Sequence, residues 1–274
     1  MSIRAALIVA IAIFFAGLAS AQSGDGFITV TSTTSTQNSG LFDHILPLFS
    51  AESGIEVRVV AVGTGQAIRM AKNGDADVLF VHHKPSEIEF VSEGYGIKRH
   101  DVMYNDFVII GPKSDPANIA GMTDATKALE RIAETESIFT SRGDDSGTNK
   151  KELDLWRSAN IDIKTKSGTW YRELGSGMGA TLNGAASMEA YTLTDRGTWI
   201  SFNNRRGLVL LAEGDARLFN PYGVILVNAA KHPHVKLAEG QAFIDWLVSA
   251  PGQAAISAYK IAGQQLFFAN ASGN

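Results

Sequence analysis

Three segments of this chain gather residues suited to holding an anion. The first, Thr31-Ser32-Thr33-Thr34-Ser35-Thr36-Gln37-Asn38-Ser39-Gly40, places seven hydroxyl residues between an apolar strand pattern and a helical one. A helix start leaves backbone N–H groups unpaired and partly positive, and neighbouring hydroxyls add neutral donors. An oxyanion fits such a set, with Thr34, Ser35 and Thr36 as its contacts. Helix capping and loop filling would use the same residue types, although one cap needs only one hydroxyl. The second segment is Gly63-Thr64-Gly65, whose glycines let backbone approach a ligand and whose Thr64 offers a hydroxyl. It lacks the lysine of a phosphate-binding P-loop and the third glycine of a dinucleotide fingerprint. The third, Ser141-Arg142-Gly143-Asp144-Asp145-Ser146-Gly147-Thr148, sets a guanidinium four residues before a Ser-Gly-Thr helix start. Arg142 brings charge and paired donors, Ser146 with the amides of Gly147 and Thr148 completes a tetrahedral shell, and Asp144 orients Arg142 from behind. A surface ion pair beside an N-cap is the plain structural alternative.

The elements that must position these segments follow a repeating pattern. Phe27 to Val30 reads as a strand, Leu41, Phe42, Ile45, Leu46 and Phe49 recur at helical spacing, and Gly54 ends that helix. Ile55, Val57 and Val59 alternate as a second strand, a short helix runs through Ile68 and Met70, and Val78 to Val81 is a third strand. Strand, helix, strand, helix, strand predicts an α/β fold with a parallel sheet and right-handed crossovers. Ligands of such sheets sit beyond the carboxyl ends of the strands, where the first two hydroxyl segments lie. Strands near Phe107 to Pro112 and Tyr222 to Val227 flank a stretch with its own helices and loops. They read as hinge strands, so that a second lobe (111–221) is inserted into a first (22–110 plus 222–274), with hinges near Gly111 and Asn220-Pro221. Helices around Phe243 to Leu247 and Ile256 to Tyr259 are expected to pack back on the first lobe.

Composition narrows the function. Residues 1–21 carry Arg4, an apolar run from Ala5 to Leu18 and the small residues Ala19-Ser20-Ala21. That is the pattern of a secretory signal peptide removed after Ala21, and its apolar run is short for a membrane anchor. With no cysteine, the chain is expected to be periplasmic, neither a lipoprotein nor disulfide-bonded, and held together by its core. A formal charge of −4 and no basic stripe argue against nucleic acid, and no stable membrane insertion or cofactor is implied. A small anion responds to local donors more than to net charge.

The three segments, together with Gly74-Asp75-Ala76-Asp77-Val78-Leu79 and His82, Gly177 to Asn183 and Tyr191 to Thr198, resemble the signature segments of tungstate-binding receptors of ABC uptake systems. The similarity runs in order through nearly the whole chain beyond the leader, with one departure, Ser32 where the family begins its hydroxyl motif with Thr. The resemblance implies a two-lobed periplasmic binding protein fold of type II, each lobe a mostly parallel sheet flanked by helices. It implies tungstate as ligand, with molybdate or another tetrahedral oxyanion as alternative, an ABC transporter permease as partner, and a monomer. Phosphate receptors carry a similar Arg-x-Asp-x-Ser-Gly-Thr segment, which makes Arg142, Ser146, Gly147 and Thr148 ligand contacts and places Thr64 where they use Ser. At the position of His82 those receptors have an Asp that accepts a proton from phosphate. A histidine there donates instead, which favours an unprotonated dianion; a satisfied, half-buried histidine is the alternative.

Other chemistry is less well supported. His82 and His83 point to opposite faces of a strand and do not share a metal, while His232-Pro233-His234 reads as polar surface, so no cation site is expected. A secreted hydrolase using Ser146 with His82 as base lacks a Gly-x-Ser-x-Gly elbow, a His-Glu-x-x-His helix and any third member to orient the histidine. An anion sensor acting without a transporter is a further reading. Gly175 to Gly179 is either a tight loop or a wall of the cleft.

Overall fold

The computed structural model describes residues 26–261 and 263–271; the signal peptide expected at 1–21 lies outside them. The pattern read from sequence appears as β1 (Phe27–Thr33), α1 (Thr34–Asn38), α2 (Leu41–Ser53), β2 (Glu56–Val62), α3 (Thr64–Asn73), β3 (Val78–Val81) and α4 (Lys84–Ser92). Strand β1 is central and parallel to β2 on one side and to β3 on the other. Helix α2 stops where Gly54 turns left-handed at φ 73°, a conformation that costs other residues a Cβ clash.

Strand β4 (Gly96–Pro112) is longer than the apolar run around Phe107 suggests. Its first half, Ile97-Lys98-Arg99-His100-Asp101, is too charged to read as a buried strand, yet pairing with a neighbour needs only the backbone. After it come α5 (Ala125–Glu134), β5 (Phe139–Ser141), α6 (Gly147–Ser158), β6 (Tyr171–Glu173), α7 (Met178–Met188), β7 (Thr192–Asp195), α8 (Arg196–Ser201) and β8 (Leu208–Ala212). The chain then returns through β9 (Phe219–Val227) to α9 (Leu237–Val248) and α10 (Ala250–Ala258).

Two lobes result, and β4 takes part in both. Up to Asp106 it pairs antiparallel with β9, which in turn runs antiparallel to β3, giving the first sheet the order β2-β1-β3-β9-β4. From Phe107 onward β4 pairs antiparallel with β7 and β8. In the second lobe β5 is parallel to β6 and bridges in parallel to the residue before β7.

Alternation along the strands sends side chains to cores on both faces of each sheet. In β3, Val78 and Phe80 join the layer of α2, α9 and α10, whereas Leu79 and Val81 join that of α3 and α4. In β4, Phe107 and Ile109 pack with α5 and α6, and Val108 and Ile110 with α7 and α8. A chain without disulfides rests on these layers, each fully buried large side chain contributing roughly 1.5–3 kcal/mol. Among the described residues no helix is long and apolar enough to cross a membrane.

Candidate functional site

The sheet order brings the expected segments together. Thr33 ends β1 opposite Val62 at the end of β2, and Ser32 pairs with Phe80 near the end of β3. The hydroxyl run, Gly63-Thr64 and His82 therefore emerge side by side at one edge of the first sheet. Thr33 caps α1, its Oγ1 accepting from the Thr36 amide at 3.3 Å and lying 2.7 Å from Thr36 Oγ1 and 3.1 Å from Ser35 Oγ. Capping thus occupies Thr33, while Thr34 is half-buried and Ser35 and Thr36 are buried beside it.

The second lobe faces this edge with the ends of β5 and β7. Arg142 follows β5 and is 3% exposed. Its Nη2 donates to Asp144 Oδ2 at 2.6 Å, and Asp144 Oδ1 accepts from the Ser146 amide at 3.2 Å, so Asp144 fixes the guanidinium and the start of α6 at once. Ser146 Oγ caps α6 by accepting from the Asn149 amide at 3.2 Å, which leaves its hydrogen free. Asp195, buried at the end of β7, caps α8 through Thr198 and lies close enough to feel the charge of Arg142; burial nonetheless raises its pKa.

The lobes touch around α6. The Gly65 amide donates to the Asp145 carbonyl at 3.4 Å, and Arg69 lies 3.5 Å from the Asp145 carboxylate. A Cβ on Gly147 would stand 2.8 Å from Cε1 of His82 and 2.9 Å from Thr64 Oγ1. Only a glycine lets the helix start come this close to the opposite lobe. Three polar atoms of this junction are buried without a hydrogen-bond partner: Thr64 Oγ1, Arg142 Nε and Thr148 Oγ1. All can donate to an oxyanion, and burial without a partner costs each about 1–3 kcal/mol.

His82 is 4% exposed and stacks on Tyr222 at 4.8 Å. Its Nε2 lies 3.1 Å from Ser35 Oγ and its Nδ1 lies 3.1 Å from Asn220 Oδ1, so both ring nitrogens have protein partners. Burial, reinforced by Arg142, pulls its pKa down to about 4 and keeps it neutral. Neither of its partners is Ser146, so the Ser-His pairing of a hydrolase is not formed. His83 turns the other way, capping α4 and facing Asp154 of α6 at 3.6 Å. His232 and His234 hydrogen-bond the carbonyls of Lys72 and Gly74 at 2.9 and 2.7 Å, closing the end of α3. Among the described residues no cluster of three or more His, Cys, Asp or Glu could hold a metal ion.

Sequence reasoning missed the supports of the site. Ser141 Oγ donates to Glu152 at 2.6 Å and accepts from the Gly143 amide and from Asn149. Tyr171 and Trp156 also donate to Glu152. This buried carboxyl braces the Arg142 loop from beneath, and burial pushes its pKa up to about 7. The loop after β6 is tied on by the Ser176 amide, which donates to the Arg142 carbonyl at 3.0 Å. A helix-interior Glu carries no sequence signal of such a role. Asn220 had one, its place at an expected hinge, but nothing linked it to His82.

A family model described as a PBP superfamily domain matches residues 19–251. The tungstate-binding protein TupA of Peptoclostridium acidaminophilum is 47% identical over 251 residues, 90% of this chain and 87% of that one. The solved TupA from Desulfovibrio alaskensis G20 superposes with a TM-score of 0.79 at 44% identity, covering 90% of this chain and 99% of the other. The solved tungstate ABC transporter protein from Geobacter sulfurreducens gives 0.77 at 48% identity, over 85% and 98%. The chain belongs to the periplasmic binding protein superfamily and, within it, to the family of the TupA tungstate-binding proteins.

Proposed function

We propose that this protein binds tungstate in the cleft between its lobes and delivers it to the permease of an ABC uptake system. The observation that carries the reading is the group of buried donors without partners, Thr64 Oγ1, Arg142 Nε and Thr148 Oγ1, contributed by both lobes around the start of α6. An unprotonated dianion accepts from all of them at once, in a site where low dielectric strengthens every such bond. Ser35, Thr36, Ser146 and the Gly147 amide complete the shell, with Thr34 at its margin, Asp144 orienting Arg142, and His82 reaching the anion through Ser35. The named relatives support tungstate over molybdate, whose charge and shape are the same.

The protein acts as an exported, periplasmic, monomeric receptor without catalytic activity. Its lobes comprise 22–110 with 222–274 and 111–221, and the exchange of partners along β4 supports a junction carried on β4 and β9. The closed form, which brings Gly147 against Thr64, is the one the permease recognises. Competitive calorimetry of the mature protein with tungstate, molybdate, sulfate and phosphate tests this. Tungstate binding far more tightly than sulfate and phosphate is the expected result; phosphate binding as tightly as tungstate overturns it.

A further inference from the structure

His82 stands between a hydroxyl of the cleft and two buried amides on the strands that join the lobes. Asn105 on β4 and Asn220 on β9 are register partners, and Asn220 Nδ2 donates to Asn105 Oδ1 at 2.6 Å. From Asn220 Oδ1 the chain of contacts continues to His82 Nδ1 and from His82 Nε2 to Ser35 Oγ. All four residues are buried. In so dry a place each contact needs a donor on one side and an acceptor on the other.

A neutral imidazole has one nitrogen of each kind. The titratable and charged groups that face the ring are Arg142 and His83, both of which oppose its protonation, and Tyr222 on β9, on which it stacks; Gly147 of α6 and Phe107 of β4 add none. The chain therefore has two self-consistent directions. In one, His82 Nδ1–H donates to Asn220 Oδ1, and Nε2 accepts from Ser35, which then turns lone pairs to the cleft. That direction leaves Asn105 Nδ2 buried with no acceptor. In the other, both amides rotate by a half-turn, Asn105 donates to Asn220, Asn220 donates to Nδ1, and Nε2–H donates to Ser35. The hydrogen of Ser35, freed from His82, then has the cleft and Thr33 Oγ1 at 3.1 Å as its acceptors, and Asn105 turns its carbonyl oxygen in place of its N–H to the unpartnered side.

We infer that Asn105 and Asn220 are positioning residues which, with His82, form a reversible hydrogen-bond relay from the inter-lobe strands to Ser35, and that an unprotonated dianion holds this relay in the direction that makes Ser35 a donor. The inference rests on the reading of the cleft as a tungstate site. A dianion with no proton has only lone pairs to offer, so Ser35 contributes to binding in one direction alone. A protonated oxyanion matches the opposite one. Discrimination between the two classes is thereby shared with residues that never touch the ligand.

The test is nitrogen NMR of ¹⁵N-histidine-labelled mature protein, with calorimetry on the same sample, before and after addition of sodium tungstate. His82 is expected to carry its proton on Nδ1 without tungstate and on Nε2 with it. Tungstate binding accompanied by retention of the Nδ1–H form, or by an imidazolium, overturns the relay while leaving the site reading intact. Absence of any tungstate binding by the unaltered protein overturns both. Asn220→Asp supplies a second measurement, because a carboxylate only accepts and so pins the proton on Nδ1 of a neutral ring. Its affinity for tungstate is expected to fall about tenfold at pH 9 and to recover as the pH is lowered to 6 and the ring gains a second proton, while the unaltered protein stays flat. A loss of the same size at every pH marks a merely structural asparagine and counts against the relay.

Discussion

Nη2 of Arg142 is held at 2.6 Å by Asp144, while Nε of the same guanidinium is buried with no partner. The carboxylate fixes the plane of the fork, and the unpaired Nε–H is a donor that a ligand of the proposed site would take up. Arg142→Ala is expected to weaken tungstate binding by at least about a hundredfold, in line with truncation of one partner of a buried charge pair. Arg142→Lys should fall in between, since it keeps the charge but loses the planar fork. Calorimetric titration of both variants checks the order; an unchanged affinity in Arg142→Ala places the site elsewhere.

Thr64 and Thr148 each bury a hydroxyl without a partner, so their replacement should act in opposite directions on stability and on binding. Thr64→Val and Thr148→Val are expected to stabilise the ligand-free protein by about 1 kcal/mol each, because an unpaired hydroxyl leaves the interior. Each should weaken tungstate binding roughly tenfold. Thermal melts with and without tungstate measure both effects, and a fall in ligand-free stability counts against the assignment.

Gly147 tests closure. An alanine Cβ there meets His82 and Thr64 at under 3 Å, contacts that exist only while the lobes are together. Gly147→Ala should leave the ligand-free protein folded with cooperative melting and cut tungstate affinity by about tenfold or more, since the clash falls on the closed form. Small-angle scattering should show the variant failing to compact when tungstate is added.

Glu152 supplies a pH prediction. Burial raises its pKa to about 7 despite donors from Ser141, Tyr171 and Trp156. A carboxyl raised on folding contributes stability that is complete below its unfolded pKa of about 4.5 and is lost as pH rises through about 7. Denaturation midpoints should therefore decline between pH 5 and 8 by more in the native chain than in Glu152→Gln. The amide turns a donor toward its neighbours, so the variant should also loosen the Arg142 loop and lower tungstate affinity.

Much of the first lobe was legible because its signals are local. Leu41, Phe42, Ile45 and Phe49 repeat at helical spacing, and Val78 to Val81 is an uninterrupted apolar run buried on both faces. The hydroxyl and glycine loops were legible for the same reason, since hydroxyls, glycines and one arginine sit at strand-to-helix junctions that sequence periodicity locates. What escaped was set by tertiary contact. The charged first half of β4 becomes a strand because β9 supplies its hydrogen bonds, and the partners of His82 were hidden because Asn220 and Ser35 reach its two ring nitrogens from 138 and 47 residues away. Glu152 looks like an ordinary helix-surface residue until Ser141, Trp156 and Tyr171 close over it.

Strand β4 belongs to both sheets, ladder-bonded to β9 up to Asp106 and to β7 and β8 beyond it. Such a strand cannot fold sharply at its midpoint without rupturing the ladders on either side. Any turning of one lobe against the other is therefore expected to be carried as twist along β4 and its neighbour β9. Twist of that kind would leave the backbone ladders intact. Capture and release would then be governed by what the cleft holds rather than by the cost of bending the frame.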